Sequence, residues 1–413
     1  MTGTVLLVES NTTGTGRDFA RQAVELGAHP VMITREPSRY PYLAEDEVEY
    51  VVADTADPAE VERIALARDR ETGVCAVTTS SEYYVPIAAA VAHKLGRPGP
   101  SPEAVAACRD KGTQRAVSQA AGVPVPAFAV ARTVEAAMAA ARRIGPPVVV
   151  KPVRGSGSLG VLRCTDEKQV GKHAAELLGR TTNERGLAAP AEVLVEREID
   201  GTEYSVETFG DAVISLVRKH LGPLPQFVEL GHDVPAAVDD RDRELLTGTA
   251  LRALRALGLG WGAGHVEIRI SAGEAFLIEV NPRLAGGRIP DLVRLSTGID
   301  LVRAQVAAAM GSEERPLPRI GENAAIRFLT AENAGVLADT EAALEAAGSV
   351  TGVVDAAFYH RTGDPVAPAA DFRDRCGHVI AVAGGHGTAG EAAELGLGRL
   401  RAALSSTEDG DRP

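Results

Sequence analysis

The segment HVEIRISAGEAFLIEVNP, residues 265–282, carries two carboxylates and a side-chain amide where oxygen atoms could converge. Val266, Ile268 and Ile270 alternate with His265, Glu267 and Arg269, and Phe276, Ile278 and Val280 alternate with Leu277, Glu279 and Asn281. That period of two is expected of paired strands that each bury one face. With Gly273 at the centre of the hairpin loop, Glu267 falls opposite Glu279, and Asn281 lies two residues further along the same face. Two carboxylates and an amide oxygen so close repel one another unless a hard cation sits among them. Magnesium accepts this oxygen set and keeps positions for phosphate oxygens. Read alone, the same acids would also suit a solvated hairpin face paired to neighbouring arginines.

A second stretch points to phosphate. In KPVRGSGSLGV, 151–161, Lys151 ends an apolar run, and Gly155, Gly157 and Gly160 flank Ser156 and Ser158. Glycines let backbone N–H groups approach an anion closely. Only six of the 43 basic residues are lysines, so a lysine beside an apolar strand invites a specific explanation, its compact ammonium being unlike a planar guanidinium. In LAGGRIP, 284–290, Gly286, Gly287 and Arg288 precede a helix, and their N–H groups, the helix dipole and the guanidinium suit a substrate carboxylate. A plain turn before a helix reads equally well there.

The elements that must position these residues follow from the apolar pattern. Residues 4–8, 29–34, 48–53 and 74–79 read as strands and 17–26 and 58–68 as helices, which implies a parallel sheet in a Rossmann-like α/β unit over residues 1–100. NTTGTGR, 11–17, follows the first strand without the full GxGxxG spacing, and no acid closes the second strand to take a ribose. Residues 101–126 read as linker helices, with Ser101 and Asp110 as N-caps and Lys111 starting the second. A small α+β unit over 127–205, a larger unit over 206–315 with a helix at 240–257, a C-terminal α+β unit over 316–405 and a frayed tail at 406–413 complete the expected order. The fold class is α/β and α+β, multidomain.

Composition narrows the classes further. The chain has 413 residues, 45% hydrophobic and 24% charged, as soluble globular chains do, and its length suits several domains with a cleft between them. A net charge of −13 argues against a nucleic-acid or anionic-membrane partner, although a local basic cleft could still hold phosphate. Cys75, Cys108, Cys164 and Cys376 are widely spaced, which suggests neither a zinc site nor a disulfide framework and suits a reducing cytoplasm. The short apolar run at the start reads as neither a signal peptide nor an anchor.

Taken together, RDKGTQRAVSQAAGVPVP, VVVKPVRGSGSLGV, VLVEREIDGTEYSVE, HVEIRI and FLIEVNPRLAGG, in this order, resemble the ATP-grasp superfamily of carboxylate–amine ligases. The resemblance implies an ATP-grasp fold with ATP and magnesium, or manganese, as cofactors. It implies that Lys111 and Lys151 contact the nucleotide phosphates and that Gly155, Ser156, Gly157, Ser158 and Gly160 form a loop closing over them. Glu196, Arg197, Glu198 and Ile199 would line adenine, Glu203 would take the ribose hydroxyls, and Glu267, Glu279 and Asn281 would hold the metal. Arg283 would stabilise the transferring phosphoryl group and the later oxyanion.

QFVELGHDVPA, 226–236, resembles the segment lining the amino-acid pocket of bacterial L-amino acid ligases. There Glu229 would receive a substrate ammonium, and His232 would approach the reacting carboxyl or phosphate. The expected activity is amide formation between a carboxylate and an amine, through an acyl phosphate, with release of ADP and phosphate. Purine-pathway and carbamoylating ligases share this frame, and a nicotinamide-dependent oxidoreductase using residues 4–34 is the alternative from another class. No AMKM-like segment suggests an attached biotin carrier. A homodimer is expected from the family alone.

Overall fold

The structure is a computed structural model and describes residues 3–12, 15–316, 321–369, 371–384 and 388–406. The tail from 407 on and residues 13 and 14 of the glycine-containing turn lie outside the described residues.

The N-terminal apolar runs form a parallel sheet in the order Glu49–Val52, His29–Thr34, Thr4–Val8, Val74–Thr78. Continuous apolar strands need cover on both faces. Phe19, Ala20 and Ala23 of the helix Gly16–Glu25 cover Val5, Leu7 and Met32 on one face, and Val61, Ala65, Ala88 and Val91 cover Leu6, Val8, Val31 and Ile33 on the other. At the end of the first strand the Glu9 carboxylate accepts hydrogen bonds from Thr34 Oγ1, the Arg35 amide, Tyr40 Oη and Thr55 Oγ1.

The linker helices are capped as the sequence implies. The Ser101 side chain accepts from the Ala104 amide at 3.2 Å, and Asp110 accepts from the Thr113 amide at 2.9 Å, so Lys111 is the first residue of the helix Lys111–Ala120. A four-stranded antiparallel sheet follows, in the order Phe128–Ala131, Val193–Arg197, Val148–Pro152, Leu162–Cys164. Val148, Val150, Val193 and Val195 pack on the helices Val134–Ile144 and Glu167–Leu178, which turns Lys151 and Glu196 to the opposite face.

The largest element is an eight-stranded antiparallel sheet. Its spatial order is Glu274–Asn281, Ala263–Ser271, Thr202–Phe209, Ala212–Leu221, Glu229–Val234, Asn323–Thr330, Arg375–Ala383, Val353–Phe358. Strands from both sides of Pro316 share it, and residue 205 lies inside the strand Thr202–Phe209. Tyr204, Val206, Val266, Ile268, Leu277 and Val280 bury one face against Leu246, Ala250, Leu254 and Leu257 of the helix Asp240–Leu257. Each fully buried leucine there contributes roughly 1.5–3 kcal/mol. The polar residues of the same strands are therefore forced onto the other face.

The hairpin at its edge differs from the expectation in its turn. Ala272 and Gly273, with φ of 50° and 78°, make a two-residue turn, so Ser271 pairs with Glu274 and Ile268 with Leu277. On that register Glu267 would face Ile278. An extra residue in the second strand shifts the ladder, and Glu267 pairs with Glu279, Val266 with Val280 and His265 with Asn281. The expected alternation of the second strand is corrected accordingly: Ala275, Leu277 and Val280 are buried in the core, whereas Phe276 and Ile278 are only partly buried, because the bulge changes the phase of the pleat.

Candidate active site

The polar face of the large sheet opens with three residues on Thr202–Phe209. Glu203, Ser205 and Glu207 stand beside Arg269, Glu267 and His265 of the neighbouring strand, register partner by register partner. On the other side, Lys219 pairs with Glu203 and with His232. A row of charged groups thus crosses the sheet beneath the small four-stranded sheet and the linker helix.

At the nucleotide end as the sequence reads it, the Lys111 ammonium lies 3.0 Å from Glu279 and donates to the carbonyl of Gly155 at 3.2 Å. Lys151 pairs with Glu196, whose other partner is Arg115 at 2.9 Å. Burial, together with nearby Arg115 and Lys111, pulls the Lys151 ammonium below its usual range. Although burial opposes it, the two cations hold the Glu196 carboxyl below its own range. Arg115 also donates to the Ile278 carbonyl at 2.6 Å, so the bulge in the hairpin has an acceptor role.

The other residues expected at adenine and ribose are close by. Arg197 is exposed and lies over the Phe276 ring, Glu198 accepts from Arg163, and Ile199 is buried with its carbonyl accepting from Arg269. Glu203 accepts from Arg269 at 2.8 Å and pairs with Lys219 at 2.9 Å.

Glu267 and Glu279 are direct cross-strand partners, and the Oδ1 atom of Asn281 is buried without a hydrogen-bond partner. A buried acceptor left unpaired costs about 1–3 kcal/mol, which a cation would relieve. Two carboxylates and this oxygen fit a hard divalent ion with positions to spare for phosphate. Among the described residues no group of three or more His, Cys, Asp or Glu gathers for a metal. Behind Glu267, His265 bridges to Glu207 at 2.7 Å and to Glu267 at 3.2 Å. Burial disfavours its charge, yet the two carboxylates raise the His265 imidazole to about 9.

Lys219 joins the two ends of the row. Its ammonium lies 2.9 Å from Glu203, 2.7 Å from Glu229 and 2.6 Å from Glu267, one carboxylate for each of its three N–H donors. Burial alone would neutralise it, but the three acids hold it well above its usual range.

At the far end, Glu229 also pairs with Arg375, whose guanidinium stacks 3.8 Å from the centre of the Phe328 ring. His232 is fully buried, and neither ring nitrogen has a hydrogen-bond partner. Burial pushes its imidazole down to about 3, so it is neutral near pH 7. A Cβ on Gly287 would come within 2.6 Å of His232 Nε2 and 3.7 Å of a Glu229 oxygen, so the expected carboxylate cradle and the expected ammonium receptor adjoin. Gly286 is open to space. Arg288 has φ of 60° and its guanidinium pairs with Asp291 and Asp355, each at 3.0 Å, so it is already committed to carboxylates.

Arg283 is held by a residue from the N-terminal unit. The Glu82 carboxylate accepts from Arg283 Nε at 2.9 Å, from Ser156 Oγ at 2.6 Å and from Arg109. Ser158, with φ of 60°, donates to the Phe227 carbonyl at 3.1 Å, and the Gly160 carbonyl accepts from His173. Glu82, Arg109, Arg115, Lys219 and Arg375 are the site residues that sequence reading leaves unassigned. Only Lys219 carries a signal, as one of the few lysines; Glu82 meets its partners across 27, 74 and 201 residues.

Comparison with known proteins gives the following matches. A model of the ATP-grasp domain matches residues 144–291, one of the ATP-grasp N-terminal domain residues 20–99, and one of the L-amino acid ligase C-terminal domain 2 residues 327–405. The chain is 35% identical over 382 residues to the uncharacterized protein y4rH of Sinorhizobium fredii, covering 92% of this chain and 78% of that protein. It is 27% identical over 327 residues to alanine–anticapsin ligase of Bacillus amyloliquefaciens, covering 73% and 68%. The crystal structure of L-amino acid ligase from Bacillus licheniformis superposes with a TM-score of 0.80 at 22% identity, over 97% of this chain and 98% of that one.

Proposed function

This chain belongs to the ATP-grasp ligases that carry an L-amino acid ligase C-terminal domain, and we propose that it joins the carboxylate of one amino acid to the amine of another, coupled to the cleavage of ATP to ADP and phosphate. One observation carries this reading. Lys111 pairs with Glu279, Glu279 stands opposite Glu267 across the hairpin, and Lys219 pairs with both Glu267 and Glu229, so a phosphate-suited end and an amine-suited end lie along one continuous row of charged groups.

A carboxylate is a poor acylating agent, so its oxygen first attacks the γ-phosphorus of ATP, and ADP leaves. The amine, in its neutral form, then attacks the acyl carbon, the bond to the phosphate oxygen breaks, and the proton given up by the new amide nitrogen leaves with the phosphate. Such transfer needs alignment and charge neutralisation more than a nucleophilic side chain. Lys111 and Lys151 hold phosphate oxygens, Gly155 to Gly160 cover them, Glu203 receives the ribose hydroxyls, and the segment Glu196–Ile199 borders adenine. Glu267, Glu279 and Asn281 would hold magnesium, which when bound draws charge from the phosphate oxygens. Glu229 receives the substrate ammonium, and neutral His232 can donate or accept at the reacting carboxyl. Arg283, oriented by Glu82, stabilises the developing oxyanion. Action in the cytoplasm agrees with four free cysteines and with the finding that no described helix is long and apolar enough to cross a membrane.

The test is ADP release across pairs of amino acids, with mass spectrometry of the products. Lys151→Ala and Glu279→Gln should each lower ADP release by about 100-fold or more. Near-normal release from either variant would overturn its assignment, and no amide product from any pair would overturn the reaction.

A further inference from the structure

The tip of the glycine loop rests on a side chain from the far end of the protein. Gly157 has φ of 62°, and a Cβ built on it would stand 2.5 Å from Cε1 and 2.6 Å from Cδ1 of Phe372. Backbone conformation and space both demand glycine there, so the loop backbone lies directly on the ring.

Phe372 has no evident duty in its own unit. It is 38% exposed and belongs to none of the hydrophobic clusters among the described residues. The turn Phe372–Asp374 that presents it is nevertheless firmly built. Asp371 and Asp374 cap each other's backbone amides, and Arg373 pairs with Asp371 at 2.6 Å. A rigid turn that displays an aromatic ring outward is suited to receive another surface. Gly160, at the base of the loop, packs near Leu177 and Pro152, whereas the anchors nearer the tip are polar: Ser156 to Glu82, Ser158 to the Phe227 carbonyl and Lys111 to the Gly155 carbonyl. Water can replace each of these at little net cost, whereas it cannot replace an apolar seat.

We propose that Phe372 is a positioning residue on which the glycine loop seats, and that this seat keeps water from the acyl phosphate until the amine attacks. The proposal rests on the acyl-phosphate reading above. Without the seat, water attacks the acyl carbon, the bond to the phosphate oxygen breaks, and carboxylate and phosphate are released with no amide. ATP is then spent without product.

The experiment compares wild type with Phe372→Ala, Phe372→Leu and Gly157→Ala. Amide and ADP should form one to one in wild type, whereas Phe372→Ala and Gly157→Ala should release ADP in about threefold or greater excess over amide. Phe372→Leu, which keeps an apolar contact, should restore much of the coupling. A second readout needs no substrate. Trypsin should cut after Arg154, whose side chain is exposed, more slowly when MgADP is present, and Phe372→Ala should lose that protection. Unchanged coupling together with unchanged protection in Phe372→Ala would overturn the seat. If wild type forms no amide at all, the ligase reading fails, while the trypsin experiment still decides whether the loop seats on Phe372.

Discussion

His232 is a neutral imidazole enclosed by protein, and neither ring nitrogen has a hydrogen-bond partner, an arrangement that costs stability. Its burial has a measurable consequence. The unfolded chain takes up the His232 proton near the ordinary value of about 6.5, whereas the folded chain resists it until about 3. The unfolded state therefore binds more protons across that window, and the contribution of His232 is fully present above pH 6.5 and is lost as pH falls toward 3. Between pH 6.5 and 4.5, where most carboxylates stay ionised, wild type should lose at most about 1.4 kcal/mol per pH unit on this account. Denaturant melts of His232→Phe should show a flatter profile there; an identical slope would mean that the imidazole is not neutral in the fold. The sequence shows the spacing of Glu229 and His232 but not that state, because burial of the ring depends on Phe328 and Gly287, far away in the chain.

Individual elements were legible where the pattern was local. The helix Asp240–Leu257, the capped start at Lys111 and the first parallel strands follow from apolar spacing and cap residues that sit next to one another in sequence. The hairpin of the acid pair was legible in its pairing but not in its path. A two-residue turn and a bulge together place Glu267 opposite Glu279, and the bulge becomes intelligible only once Arg115 is seen to take the Ile278 carbonyl. The loop before the helix Ile289–Thr297 carries its own test. Gly287→Ala imposes a left-handed conformation worth about 1–2 kcal/mol on alanine and drives a methyl group toward His232. The melting temperature should fall and KM for the amino acid should rise while calorimetry finds MgADP affinity unchanged. A matching loss of nucleotide affinity would place this loop's influence at the other end of the row.

For the whole molecule, the decisive feature is that one sheet serves the centre and the C-terminal region together. The change of composition after Pro316 reads as a separate unit, yet Asn323–Thr330, Arg375–Ala383 and Val353–Phe358 extend the sheet that bears Glu203 and Glu267. Strand register over such separations is not written in local pattern, which is why Arg375 beside Glu229 and Phe372 beside Gly157 escaped the sequence reading. Glu82 brings the N-terminal unit to the same place.

The charge pairing within the site also governs how a nucleotide arrives. The seven glutamates Glu82, Glu196, Glu203, Glu207, Glu229, Glu267 and Glu279 stand among eight fixed cations, Lys111, Lys151, Lys219, Arg109, Arg115, Arg269, Arg283 and Arg375, so the excess of −13 belongs to the remainder of the molecule. An incoming MgATP anion thus meets long-range repulsion before it meets lysine. Stopped-flow association should quicken or hold steady as ionic strength rises toward 0.15 M, where screening acts over about 8 Å. An enzyme that draws its nucleotide in by charge would slow instead.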